Sequence, residues 1–143
     1  MRTISFTSLA LAMLAGVLAL AACQRTSPAL EQARARIAAK LPQPYFEDLV
    51  TESVSVSGKR LVLQVRSPAG SADATRKDPR FDALRQSEQN QLRELCRQAE
   101  IKPLLGSDAI LVRRFLDRKD RLFFEVSMPV SQCPPLASTE RAR

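Results

Sequence analysis

The stretch AILVRRFLDRKDRLFFEVSMPV at residues 109–130 decides how this chain is read. Two apolar runs flank the polar quartet Asp117-Arg118-Lys119-Asp120, which is the signature of a β-hairpin. With Arg118-Lys119 at the tip, Phe115 faces Leu122, Arg113 faces Phe124 and Leu111 faces Val126. One face then carries Leu111, Phe115, Leu122, Phe124, Val126 and Met128, interrupted by Arg113. The other carries Ile110, Val112, Leu116 and Phe123, mixed with Arg114, Arg121 and Glu125. A slip of one residue exchanges the two faces. Either way both faces are partly apolar, whereas an antiparallel sheet with helices on one side has a wetter second face. The residual apolar groups mark a covered surface, under the loop 67–79 or the N-terminal helix, or a docking surface.

An earlier stretch repeats the theme. Val50, Val54 and Val56 alternate with Thr51, Ser53 and Ser55; Ser57-Gly58-Lys59 turns the chain; Leu61, Leu63 and Val65 resume the pattern. Between the hairpins, SPAGSADATRKDP reads as a loop. Asp78-Pro79 then reads as a cap and first turn. In the helix that follows, Phe81, Leu84, Glu88, Leu92, Leu95, Cys96 and Ala99 share one face. Before the first hairpin, Ser27-Pro28 opens a helix over PALEQARARIAAKL that Pro42 and Pro44 end. The order helix, hairpin, helix, hairpin predicts an α+β, two-layer domain, an antiparallel sheet of two hairpins packed against helices.

The N-terminus is of another kind. After Arg2 the run Leu9–Ala22 holds no charge and falls short of the roughly 20 residues a membrane-spanning helix needs. It has the build of an export signal. Leu20-Ala21-Ala22-Cys23 resembles the bacterial lipobox, which implies removal of residues 1–22 and diacylation of Cys23. Buried acyl chains would then hold the protein on a membrane without a spanning segment. Gln24, in the place where Asp retains a lipoprotein at the inner membrane, points to the outer membrane and its periplasmic face. The expected organisation is a signal peptide over 1–22, a lipidated tether over 23–27, one domain over 28–133 and a tail over 134–143.

Cys96 and Cys133 remain, and in an oxidising compartment an even pair reads as a disulfide. The chain has no histidine, which removes the commonest general base and the usual hydrolase triads. Two cysteines without histidine do not make a tetrahedral metal set. Nucleotide and metalloprotease fingerprints are missing. The expectation is a non-enzymatic binding protein with no cofactor and no small-molecule substrate. A formal charge of +7 fits a solvated basic surface, anionic headgroups or an acidic partner segment, and export argues against nucleic acid.

Taken in order, these elements resemble one family over about residues 20–133: the small α/β pilotin lipoproteins of type II secretion, of the AspS kind. The features are the lipobox ending at Cys23, a short helix closed by Leu41-Pro42, and the hairpin around Gly58 with Leu61-Val62. Then come the exit Ser67 to Gly70, Phe81 opening a helix with Gln91 and Leu95-Cys96, Ile101-Lys102 with Leu104, and Cys133 after the last strand. The resemblance implies a protein that binds the C-terminal segment of the secretin subunit and promotes its outer-membrane targeting and assembly. It implies Cys23 as the anchor and Cys96–Cys133 as the structural bridge. The arginine content and the tail after Cys133 depart from the pattern. Val112, Arg114, Leu116 and Phe123 are the expected partner-binding residues, with Arg114 pairing with partner carboxylates. The alternative is another periplasmic lipoprotein of the same fold, an envelope assembly accessory or an inhibitor of an exported enzyme.

Overall fold

A computed structural model describes residues 26–135. The signal, Cys23 and the last eight residues lie outside them. Pro28–Ala38 forms helix α1, whose Leu30, Ala33 and Ile37 recur at helical spacing and are buried. Pro28 stands in its first turn, where a missing N–H costs nothing. Ser27 supplies its backbone carbonyl to Glu31 N–H rather than a side-chain cap.

Five strands follow: β1 (Gln43–Pro44), β2 (Val50–Ser57), β3 (Arg60–Arg66), β4 (Ile110–Leu116) and β5 (Leu122–Pro129). They make one sheet in sequence order. Both expected hairpins, β2–β3 and β4–β5, are present and antiparallel. The seam between them, β3 beside β4, is parallel, so the sheet is mixed. A parallel neighbour needs a long crossover. Here it comprises α2 (Ala72–Arg76), α3 (Phe81–Gln91) and two short 3₁₀ segments, Leu92–Arg97 and Lys102–Leu104.

Register builds the inner face in rows of four. Val56, Leu61, Leu111 and Met128 form one; Val54, Leu63, Arg113 and Val126 the next; Thr51, Val65, Phe115 and Phe124 the third. These residues and the buried side of α1 enclose the core. Gly58, with φ +60, takes the first corner of the β2–β3 turn, which a Cβ disfavours.

Two irregularities depart from the alternation read in the sequence. Register shifts between Thr51 and Ser53, so Thr51 rather than Val50 turns inward and is buried. In the last hairpin Phe115 pairs with Phe124, not Leu122, two residues from the expected register. A two-residue shift keeps every side chain on its expected face. A second irregularity then pairs Leu116 with Leu122 and leaves Phe123 as the extra residue. An extra residue re-aims its neighbours. Phe123 joins the core and Leu122 is left exposed, the reverse of the expected assignment. The loop itself is one residue longer than the expected two-residue tip, with residues 118–120 between Asp117 and Arg121. Asp117 N–H donates to Arg121 C=O, and Asp120 adopts φ +61.

The expected long helix is shorter and changes pitch. Its start is Phe81, and Asp78 accepts from Arg80 N–H instead of capping the helix. Beyond Gln91 the chain tightens to three residues per turn, which stacks Leu92 over Leu95 toward the core. This turn also presents Cys96 to Cys133. The two form a disulfide across 37 positions, with Cα atoms 5.6 Å apart. It ties the end of the crossover to the segment leaving β5.

Candidate functional site

Three large hydrophobic side chains are exposed among the described residues: Phe46, Leu84 and Leu122. Two of them, Phe46 at 64% and Leu84 at 43%, line the same recess. Its construction starts at Tyr45. The turn 45–49 closes on itself, with Tyr45 N–H donating to Leu49 C=O and Leu49 N–H to Phe46 C=O. Tyr45 then anchors this turn to the body. Its hydroxyl donates to Glu88 on α3 and accepts from Arg113 on β4, 2.6 Å away. The Arg113 guanidinium stands 4.7 Å from the Tyr45 ring centre and 3.3 Å from Glu88 Oε2. Burial pushes the Tyr45 phenol far above its ordinary range, and the bond to Glu88 adds to this, so it stays a neutral donor.

With Tyr45 held inward, Phe46 is left on the rim opposite Leu84. The floor is aromatic: Phe115 stacks on Phe124 at 4.5 Å, and Phe81 meets Phe124 edge-on at 5.8 Å. Gly70 closes one side because no larger residue fits. A Cβ there would lie 2.5 Å from Ser67 Oγ and 2.8 Å from Phe123 Cζ. Ser67 in turn accepts from Gly70 N–H and donates to Asp48. The recess measures about 200 Å³. A second, of about 390 Å³, adjoins it along Thr75 and Leu84 and is lined also by Asp78, Arg80, Phe81 and Ala83. Asp78 is held down to about 2 by the side-chain and backbone bonds it accepts from Arg80. Together they form an apolar groove bordered by the turn 45–49, the α2–α3 segment and the end of the sheet.

The groove offers aromatic and aliphatic surface edged by the polar side chains of Glu47, Asp48, Ser67, Thr75 and Glu88, a form that suits the apolar side of an amphipathic segment. Strand addition at the β5 edge would have to compete with two side-chain bonds to its backbone. Gln89 donates to the Ser127 carbonyl at 2.9 Å and Arg76 donates to the Leu122 carbonyl.

Of the four residues expected to bind a partner, Phe123 alone lines the groove. Val112 is wholly buried on the opposite face of the sheet, and Leu116 is buried at its end. Arg114 donates twice to Glu125, at 2.9 and 2.8 Å, and Arg60 engages the same carboxylate. That clamp runs across three strands beside Val62 and Val112. Phe46 and Leu84 were not singled out as binding residues in the sequence. Phe46 has a readable signal, an aromatic in a polar turn; Leu84 sits in the helical stripe and reads as core.

No protein-family model and no curated protein matches the chain. Among solved structures it is similar to a Pseudomonas aeruginosa protein described as a candidate secreted protein, with a TM-score of 0.55 and 22% identity. That match covers 73% of this chain and 89% of the other. It is also similar to EpsS, described as the pilotin of the Vibrio vulnificus type 2 secretion system, with a TM-score of 0.49 and 20% identity. Here the coverage is 75% of this chain and 89% of the other. At these identities the likeness to the Pseudomonas protein is one of fold.

Proposed function

We propose that this protein is a pilotin, an outer-membrane lipoprotein that binds the C-terminal segment of a type II secretin and promotes its targeting and assembly. The observation that carries the reading is the groove, where Phe46 and Leu84 expose apolar surface over an aromatic floor. A rigid, disulfide-tied domain and an accessible apolar trough are what an escort for a short segment requires. The lipobox ending at Cys23 supports the anchoring half of the reading, and the order and spacing of elements over residues 20–133 support the partner. In this reading the lipid on Cys23 supplies the membrane attachment.

The test is co-purification of the secretin with the tagged full chain from membranes. Wild type is expected to retain the secretin. Leu84→Asp is expected to lose it while keeping its stability within about 0.5 kcal/mol, as exposed substitutions usually do. Retention of the secretin by Leu84→Asp and Phe46→Asp alike would remove the groove from the account.

A further inference from the structure

The chain carries a formal charge of +7, yet the charged side chains lining the inner recess are all acids. Glu47 and Asp48 stand exposed on the turn, and Glu88 lies in the floor. Arg113 reaches that floor from below, where it is committed to Glu88 and Tyr45. In the outer recess Arg80 is matched by Asp78, 3.0 Å away. Arg76, one residue beyond Thr75, is held by the Leu122 carbonyl and faces Asp73. Glu52, Asp78 and Glu125 are all paired with arginines. Glu47 and Asp48 form no ion pair among the described residues, although basic side chains outnumber acidic ones by 22 to 15. An acidic rim on a basic protein is thus left unmatched where two of the three exposed large hydrophobic side chains among the described residues, Phe46 and Leu84, also stand uncovered.

We infer that the occupant of the groove is a short segment whose apolar anchors are flanked by lysine or arginine, not by carboxylates. The inference rests on the groove being the docking site proposed above. It runs against one of the readings that the net charge left open, an acidic partner segment. A cation set beside Glu47 and Asp48 gains attraction at contact and within a screening length of about 8 Å. An acidic flank in the same place meets like charge, which suppresses the wrong partner.

The experiment uses the full chain in zwitterionic lipid nanodiscs and two synthetic peptides. Both carry the same leucine and phenylalanine anchors at helical spacing; one has lysines at the flanking positions, the other glutamates. Fluorescence anisotropy is expected to show the lysine peptide binding about tenfold more tightly at low salt, as several exposed charge pairs together allow. Glu47→Gln with Asp48→Asn is expected to weaken it by about three- to tenfold and to flatten its salt dependence. Both side chains are exposed, and an unchanged melting curve checks the fold. Equal binding of the two peptides, binding by neither, or a lysine peptide indifferent to the double substitution would overturn the inference. The secretin's own segment is titrated alongside. Should it bind wild type and the double variant equally, the charge inference falls and the pilotin reading stands. Should it fail to bind while the lysine peptide binds in a charge-dependent way, the pilotin reading falls and the charge inference stands.

Discussion

Removing Arg113 should destabilise the domain strongly, because it strands a buried acid. Arg113 and Glu88 are 6% exposed each and 3.3 Å apart. At an effective dielectric of about 20, unit charges at that distance attract by about 5 kcal/mol. Desolvating each ion costs several kcal/mol, so the intact pair contributes little net stability. Breaking it is another matter. Arg113→Met leaves Glu88 buried without its cation and should cost about 3–5 kcal/mol, and Glu88→Leu should cost a similar amount. The double variant replaces both charges with apolar groups and should cost well under the sum. What remains is the Tyr45 hydroxyl, which would keep only the long contact of 3.4 Å to Gln91. An unsatisfied hydroxyl costs about 1–3 kcal/mol, so adding Tyr45→Phe should recover part of the loss. Urea unfolding of the four proteins of a double-mutant cycle gives the coupling, expected at about 2 kcal/mol or more. Single effects that add to within about 0.5 kcal/mol would refute the claim that the two side chains act as one unit.

Three further outcomes are open to measurement. The Cys96–Cys133 bond spans 37 positions, and the chain-entropy relation gives about 4 kcal/mol for such a loop, so Cys96→Ala with Cys133→Ala should lower unfolding stability by about that much in urea. Gly70→Ala should destabilise by about 1–3 kcal/mol through the clash with Ser67 and Phe123, read as a drop in melting temperature. Asp117 gives a pH dependence. Burial pushes its carboxyl up, but the N–H groups of Arg121, Ala72 and Lys119 and the Arg121 guanidinium outweigh this and hold it far below the carboxylate range. A carboxylate so lowered contributes stability in full above its unfolded value near 3.9 and loses it as pH falls toward the folded value. The melting temperature should therefore fall between pH 5 and pH 2, and Asp117→Asn should flatten that slope.

Periodicity made most of the sheet legible. The Val/Ser alternation of β2 and the apolar runs around Asp117–Asp120 located both hairpins, and the stripe Leu30, Ala33, Ile37 located α1. What escaped were single-residue events that leave no mark on period. The irregularity at Thr51/Ser53 turned a threonine inward, and the one at Leu116/Leu122 exchanged the roles of Leu122 and Phe123. The parallel seam follows from where the crossover lands, which pairing rules for hairpins do not specify. The short helix Ala72–Arg76 was hidden in a segment that reads as loop by composition. The groove was least visible. It arises where a turn at 45–49 approaches a helix nearly forty residues later, through Tyr45, Glu88 and Arg113, and no local pattern encodes that meeting. Glu88 did stand out as a polar intrusion on an apolar stripe, and its two partners explain it.

Pilotin action is tested most directly by deleting the gene and following the secretin's multimer and its membrane fraction. Wild type and Cys23→Ala are supplied in turn. Without this protein the secretin is expected to fail to multimerise or to leave the outer membrane, and only the form with Cys23 is expected to restore it. A secretin that assembles at the outer membrane in the deletion strain as it does in wild type would contradict the account.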